Sequence, residues 1–485
     1  MVAARRNAAV LAAAAITVAV GSWLALKAPY YGVPLPLVGL AVAVPTWLAL
    51  SQRTGLALAV VLLYMGLLDG VIKLKSGGQA ATLGRDIVLY AVAAGVAVRA
   101  RGPFRLPPLG GWVVAWIVVI VVQLANPGNS STAHAVASLR QHLEFLPLFF
   151  LGYVALRTSA SLHAFFALLL AVATINGAVA AYQERLTPQQ LAGWGPGYAN
   201  LVTGPAARTF QGADRTTRVR PPALGSDMGF GGALGAAALP GGVVLLMTYR
   251  RRRYLLALIV LGMIGAAFAV LTSEARSAVI MAIVGILALL GLIAVGRQAK
   301  RSVIGVCLAA AMAAVAVAAI GSYDSTALDR YSSIAPGNAT ATIYGARAST
   351  WALTPQYMGE IPFGAGLGSV GPAAAKLGAA ATLWNAESQF NFLVVEAGIP
   401  GLLVFLAFQG ALCATIVTGL RRERDPEAVV LIAGLAAPLF GFAASCFFGT
   451  TTVEPPDAPY LWLAAGVISW WLIARQKSAE SAAGR

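Results

Sequence analysis

Three short stretches of this 485-residue chain combine residue types that could do chemistry at spacings that let them cooperate. The first runs from Trp384 to Gly401 and carries two carboxylates, Glu387 and Glu396, followed by the helix breakers Gly398, Pro400 and Gly401. Residues 402–420 suffice to cross a bilayer alone, so 387–397 should form a short helix at the outer surface or a half-helix dipping into it. At about 100° per residue, Glu387, Asn391 and Val395 share one face of that helix, and Glu396 points to the opposite side. A carboxylate at mid-bilayer costs about 2.5–3.5 kcal/mol, and such groups are kept where they face a cavity or a partner. The plainer reading leaves both in the wet interface, with Glu396 capping or bracing the broken helix.

The second stretch, Thr272-Ser273-Glu274-Ala275-Arg276-Ser277, separates two apolar runs by a handful of polar residues. Glu274 and Arg276 are two apart and do not face each other on a helix, so Arg276 can reach another partner. Its guanidinium is a rigid fork of donors that matches phosphate oxygens. A snorkelling arginine, or one paired with a distant acid, is the bland counterpart. The third stretch joins Tyr344 through Trp351 to Ile361-Pro362-Phe363-Gly364-Ala365-Gly366-Leu367-Gly368. Arg347 and Trp351 are one helical turn apart and can share a face. The glycine string permits a tight turn and close approach of backbone amides to a ligand. It makes a poor phosphate loop, because no Lys-Ser/Thr follows it, and a plain turn is the simpler expectation.

The elements that must hold these residues are membrane spans. The chain is 59% hydrophobic and 11% charged, whereas a soluble chain carries roughly 25% charged residues. Soluble enzymes and disordered scaffolds are therefore excluded. Apolar runs lie near 8–26, 34–50, 56–72, 86–99, 109–125, 143–156, 162–182, 228–248, 254–271, 278–295, 302–321, 401–420, 428–448 and 458–474, those at 86–99 and 143–156 being short. The expected fold is all-α, a polytopic transmembrane helix bundle of about 14 spans (12–14), its first run an uncleaved signal-anchor behind Arg5 and Arg6. With the N-terminus in the cytoplasm and spans alternating, the inner segments hold 20 basic and four acidic residues, and the remaining 14 of each sign lie outside or at boundaries. The whole net charge of +16 thus falls on one side, as the positive-inside rule expects, with both termini cytoplasmic. That removes nucleic acid as the explanation of the charge. Neither Cys307, Cys413 and Cys446 nor His134, His142 and His163 show metal-ligand spacing, so no metal or cofactor is expected.

The domain plan follows from the connections. Residues 1–321 hold eleven spans and an Arg-rich outer loop near 184–227 that carries Arg185, Arg208, Arg215, Arg218 and Arg220. Residues 322–389 read as a large extracytoplasmic loop, 390–474 as three spans with a helix broken at 398–401, and 475–485 as a cytoplasmic tail.

Taken together, these pieces resemble the O-antigen ligase and polysaccharide polymerase superfamily. The resemblance rests on Ser273–Arg276 at a span edge, Arg347-x-x-x-Trp351 in a large outer loop, and Pro362-Phe363-Gly364-x-Gly366-Leu367-Gly368. It continues with Glu387-Ser388-Gln389 ahead of Glu396-x-Gly398-x-x-Gly401, and includes Arg220 through Gly231 and Leu139-Arg140 through Phe149-Phe150. It covers the chain from about residue 85 onward, most specifically 270–405, and three spans after the large loop also fit.

The resemblance implies a membrane glycosyltransferase in the cytoplasmic (inner) membrane of a bacterium, acting in cell-envelope biosynthesis with its site on the outer face. Such enzymes move a glycan from a polyprenyl-diphosphate carrier to an acceptor hydroxyl on a glycan, lipid or protein. It implies Arg276, Arg347 and Arg220 as diphosphate ligands, Glu387 as the base, and Trp351, Glu396 and Arg140 in support. Ligases of this kind often carry a histidine where Glu387 stands. The rival reading is a polysaccharide or lipid-linked oligosaccharide transporter or flippase, and a third is a non-catalytic scaffold subunit. A transporter should place its charges near the midplane, whereas these cluster at the outer boundary.

Overall fold

A computed structural model describes residues 43–77, 80–99, 106–203, 209–211, 217–296, 298, 331, 336–376 and 384–476. The apolar runs at 8–26 and 302–321, most of that at 34–50, the tail from 477, and Arg208 and Arg215 lie outside them.

The eleven runs on described residues are all at least partly helical, as continuous apolar sequence in lipid must be to satisfy its backbone. In chain order the elements are α1 Thr54–Ser76, α2 Ala80–Arg99, α3 Gly110–Val122, α4 Thr132–Leu143, α5 Pro147–Ala155 and α6 Ser159–Glu184. Two short helices follow, α7 Pro188–Ala192 and α8 Pro196–Thr203, and then a hairpin of β1 Thr209–Gln211 and β2 Thr217–Val219. This two-stranded hairpin, antiparallel with Phe210 opposite Arg218, is the one departure from all-helical structure among the described residues. The rest are α9 Phe230–Tyr249, α10 Arg253–Thr272, α11 Arg276–Val295, α12 Pro336–Glu360, α13 Gly371–Lys376, α14 Gln389–Arg422, α15 Pro426–Ser445 and α16 Asp457–Ser469.

Seven of these, α1, α6, α9, α10, α11, α14 and α15, are long and apolar enough to cross a membrane. Of the other runs on described residues, that at 86–99 lies in α2, which carries Arg85, Asp86 and Arg99, and α3 is short. The run at 143–156 is split, since α4 ends at Leu143 and Pro147 opens a new nine-residue helix. The described part of the region 322–389 is largely helical: α12 is 25 residues long and α13 follows the glycine turn. Its alanine-rich stretch from Ala339 to Ala352 favours helix, and Pro355 is tolerated inside.

Paired contacts fix the direction of each helix relative to its neighbours. Helices α6 and α10 run parallel, since a Cβ on Gly262 would meet Leu170 and one on Gly177 would meet Ala269. Helix α9 runs against α10, with Gly235 at Ala266 and Gly242 at Met263, and α11 runs with α9, with Gly232 at Ala278. Helix α15 runs against α11, with Gly441 at Met281 and Gly296 at Val429. Helices α14 and α16 run together, with Phe408 stacked on Trp462 and Gly419 at Leu472. The approaches are close because small residues let backbones touch where apolar burial cannot drive association in lipid. At Gly466, for instance, a Cβ would lie 1.9 Å from the Phe149 carbonyl oxygen.

The bundle therefore has two distinct ends. One gathers Arg53, Arg99, Arg157, Arg250 to Arg253, Arg421, Arg422, Arg424 and Arg475, with only Glu423, Asp425 and Glu427 as described acids. Cross-contacts tie it together: Arg99 donates to Thr54, His163 packs on Tyr249, Arg157 sits 4.0 Å above the Trp470 ring, and Arg475 lies 3.8 Å from both Glu423 and Asp425. The opposite end holds the start of α9, α11, α14 and α16 and the end of α6, α10 and α15.

Candidate active site

The site is organised by the loop between α15 and α16, at the end away from the arginine cluster. Helix α14 begins there with Ser388 as its N-cap, whose side chain accepts from the Asn391 amide. The Gln389 amide donates to the Cys446 carbonyl at 2.8 Å, and its side chain exchanges hydrogen bonds with Thr452 at 2.7 and 3.0 Å. Helix α12 is clamped to the same place. The Trp351 indole N–H donates to the Phe447 carbonyl at 3.0 Å, its rings pack on Phe447 and Phe448, and Asn391 joins the Thr350 carbonyl and the Thr354 hydroxyl. Further along α12, the Tyr357 hydroxyl accepts from the Asn385 amide at 3.0 Å, two residues before Glu387.

Glu387 itself is exposed and stands ahead of the helix rather than on it. The expectation of a shared helical face for Glu387, Asn391 and Val395 is thus corrected. Ser388 caps at this point, and residues 388–398 are buried except for half-buried Phe390, not lying at a wet surface. The Glu387 amide donates to Asn385 Oδ1 at 2.9 Å, a local turn that presents the carboxylate outward.

Arg276 is the first residue of α11 and is exposed. Since Met281 lies level with Gly441, Arg276 starts α11 at the level where α15 gives way to the loop that seats Trp351 and Gln389. The turn before it is tight. Glu274 is buried with φ of 51°, a left-handed conformation sparsely used outside glycine, and Ser273 Oγ accepts from the Ala275 amide at 3.3 Å. A Cβ on Gly232 would lie 2.2 Å from Ser273 Oγ, so the start of α9 packs directly on this turn. That brings in half-buried Arg220, ahead of the 221–229 segment that Gln183 and Asn176 of α6 pin through the Ala223 and Leu224 amides. Arg347 lies on α12 one turn before Trp351; its side chain is outside what the structure describes. No described contact joins Arg276 directly to Glu387, Trp351 or Arg220; they share an end of the bundle.

Glu396 has a different place. It is fully buried and accepts from Ser138 Oγ at 2.5 Å, from His142 Nε2 at 2.8 Å and from the Gly368 amide at 2.9 Å. His142 stacks on Phe392 and meets the edge of Trp116. The carboxylate thereby ties α4, α14 and the glycine turn into one joint. The glycine string is a structural turn and not a free amide cradle: the amides of Gly364, Ala365, Leu367 and Gly368 donate to Ile361, Val395, Asn129 and Glu396. Helix α14 breaks beside it at Gly398, with φ of 66°, where a Cβ would come within 2.5 Å of the Pro362 oxygen.

Arg140 faces the other side of α4. It pairs with Asp86 and with Glu144 at 3.6 Å, while Arg85 lies between Asp69 at 3.3 Å and Glu144 at 2.6 Å, and Lys73 contacts Asp69 at 2.6 Å. Three positive and three negative side chains thus neutralise one another in the interior. Arg140 apart, the members of this cluster, His142 and the Gln389–Thr452 clamp were not among the site residues the sequence singled out. The available signals were charges inside the apolar runs at 56–72 and 86–99, and Ser138 and His142 four apart on one helical face. Among the described residues no three His, Cys, Asp or Glu side chains could together hold a metal ion.

No family model, curated protein or solved structure matches the chain.

Proposed function

We propose that the chain is a membrane glycosyltransferase of the O-antigen ligase and polymerase kind, transferring a glycan from a polyprenyl-diphosphate donor to an acceptor hydroxyl. The observation that carries this reading is convergence. Segments far apart in sequence, those of Arg220, Arg276, Trp351 and Glu387, lie at the same end of the bundle, opposite the arginine cluster. By the positive-inside rule the arginine-rich end is cytoplasmic, so the site faces outward from the inner membrane, on about fourteen spans with both termini inside.

In the reaction the acceptor oxygen bonds to the anomeric carbon as the bond from that carbon to the diphosphate oxygen breaks. The acceptor proton passes to the Glu387 carboxylate, whose exposed position leaves it reachable from solvent. Arg276, Arg347 and Arg220 meet the charge gathering on the departing polyprenyl diphosphate, a role that preorganised guanidinium groups fill well. Trp351 fixes α12 to the loop, and Glu396 holds the fold behind the site. Arg140 supports from within its ion cluster.

One observation favours the transporter reading: six ionisable side chains lie inside the bundle, where intramembrane charge often marks an ion path. Their mutual neutralisation argues for a structural part instead. The two readings separate when purified protein in vesicles receives a polyprenyl-diphosphate oligosaccharide and candidate acceptors. Free polyprenyl diphosphate with an extended acceptor supports transfer; movement of intact donor across the bilayer without product supports transport.

A further inference from the structure

The turn between α9 and α10 gathers more positive charge than the described chain neutralises. Arg250 closes α9, Arg251 follows, Arg252 precedes α10 and Arg253 opens it, and all four are exposed. The turn is tight: the Arg252 amide donates to the Tyr249 carbonyl at 2.9 Å, and the Leu256 amide donates to the Arg252 carbonyl at 2.9 Å. Four guanidinium groups are therefore carried on one short connection. Among the described residues no ion pair reaches them, and of the acids at this end Glu423 and Asp425 stand beside Arg475. Helix α10 adds to the field, since no side chain caps its start and no acid lies in its first turn. Arginine at a helix start works against the helix dipole, where an anion would be favoured.

Directly along α10 from these charges the surface is apolar. Tyr254 is 90% exposed, and Leu258 and Leu261, on the same helical face, are 64% and 61% exposed. The strip thus runs from cations through an aromatic ring, a residue type common at headgroup level, to leucines facing hydrocarbon. The positive-inside rule accounts for the sign of the charge but asks for no partner. A soluble acidic protein or a nucleic acid would match the cations alone. A molecule whose anionic head adjoins a hydrocarbon chain matches both parts of the strip at once. Guanidinium forks suit phosphate oxygens, and clusters of basic residues flanking a span attract anionic lipid.

We propose that the α9–α10 turn binds the anionic headgroup of a phospholipid, with its phosphate on Arg250 to Arg253 and an acyl chain along Tyr254, Leu258 and Leu261. The site lies at the end of the bundle opposite Glu387 and does not depend on the transferase reading.

The test places the full chain in nanodiscs with photoreactive phosphatidylglycerol or phosphatidylcholine, each carrying a diazirine high on one acyl chain. Phosphatidylglycerol should label the peptide 250–261 at least about tenfold more than phosphatidylcholine, and unlabelled phosphatidylglycerol should compete that labelling away. Soluble glycerol phosphate at the same concentration should leave the labelling in place, because it lacks the chain. Each basic residue near an anionic surface is worth about fivefold in binding, so changing Arg251→Gln and Arg252→Gln together should cut labelling about 25-fold. Arg251→Lys with Arg252→Lys keeps the charge and should stay within about fivefold of wild type. The wild-type comparison of the two lipids needs no variant to fold or to keep its orientation, so it decides the matter alone if the glutamine variant fails. Equal labelling by the two lipids, or labelling spread evenly over other lipid-facing residues such as Ile283 and Leu287 of α11, would overturn the inference. So would displacement by glycerol phosphate, which would make this a site for soluble phosphate, or wild-type labelling of a folded glutamine variant, which would leave the arginines as orientation signals only.

Discussion

Replacing Glu396 by alanine probes the joint between α4, α14 and the glycine turn. The carboxylate is the sole described acceptor for three buried donors, Ser138 Oγ, His142 Nε2 and the Gly368 amide, at 2.5, 2.8 and 2.9 Å. Each buried donor left without a partner costs about 1–3 kcal/mol, and removing one member of a buried pair costs about 3–5 kcal/mol. The donors share one site and relax together, so the two figures are alternatives, and a loss of about 3–5 kcal/mol is expected. Glu396→Gln keeps the shape and one carbonyl oxygen, which can serve the Gly368 amide or the Ser138–His142 side but not both. It should lose about 1–3 kcal/mol. The assay is reversible unfolding in mixed micelles, with exposed Glu387→Ala as a control expected within about 0.5 kcal/mol of wild type. If Glu396→Ala also stays within about 0.5 kcal/mol, the three hydrogen bonds do not hold the fold and the joint is refuted.

Three further outcomes follow from the site and the bundle. Glu387→Gln should abolish glycan transfer in the donor-plus-acceptor assay with the melting temperature unchanged, and Arg276→Lys should impair transfer despite keeping its charge, because the planar fork is lost; normal product yield from either would remove that residue's role. Gly398→Ala should destabilise by more than about 1 kcal/mol, since φ is 66° and a Cβ would lie 2.5 Å from the Pro362 oxygen, whereas Gly410→Ala, where nothing lies within 4 Å, should not destabilise; equal melting temperatures would refute the close approach. In a background lacking Cys307, Cys413 and Cys446, a cysteine replacing Glu387 and one replacing Tyr254, which is 90% exposed beside Arg250 to Arg253, should react with an impermeant maleimide from opposite faces of sealed vesicles. Reaction from one face would contradict the two-ended bundle.

Much of this architecture was legible from hydropathy because a lipid-facing helix announces itself by length and apolarity alone. The break at Gly398 was readable too, since glycine and proline lie within three residues inside an apolar run. What sequence could not give was which face each helix turns inward. Glu396 and Glu387 look alike in a string of letters, yet one accepts three buried hydrogen bonds and the other lies exposed before an N-cap. Position in the chain says nothing of partners more than two hundred residues away, such as Ser138 for Glu396. The region 336–360 is too polar for a span, and which of its residues would be covered was not legible, since α14 and the α15–α16 loop do the covering at Thr350 and Trp351. Arg85 escaped notice for the opposite reason: a charge at the edge of an apolar run reads only as the end of a span until its partners, Asp69 on α1 and Glu144 at the end of α4, are seen.

Glycan transfer at the loop-bearing end is most directly tested by the stoichiometry of one turnover. Purified protein given a polyprenyl-diphosphate oligosaccharide and a suitable acceptor should release one free polyprenyl diphosphate for every glycan joined, and Arg276→Ala should suppress release and product together. Intact donor after prolonged incubation of the folded wild-type protein with each acceptor class would contradict the account.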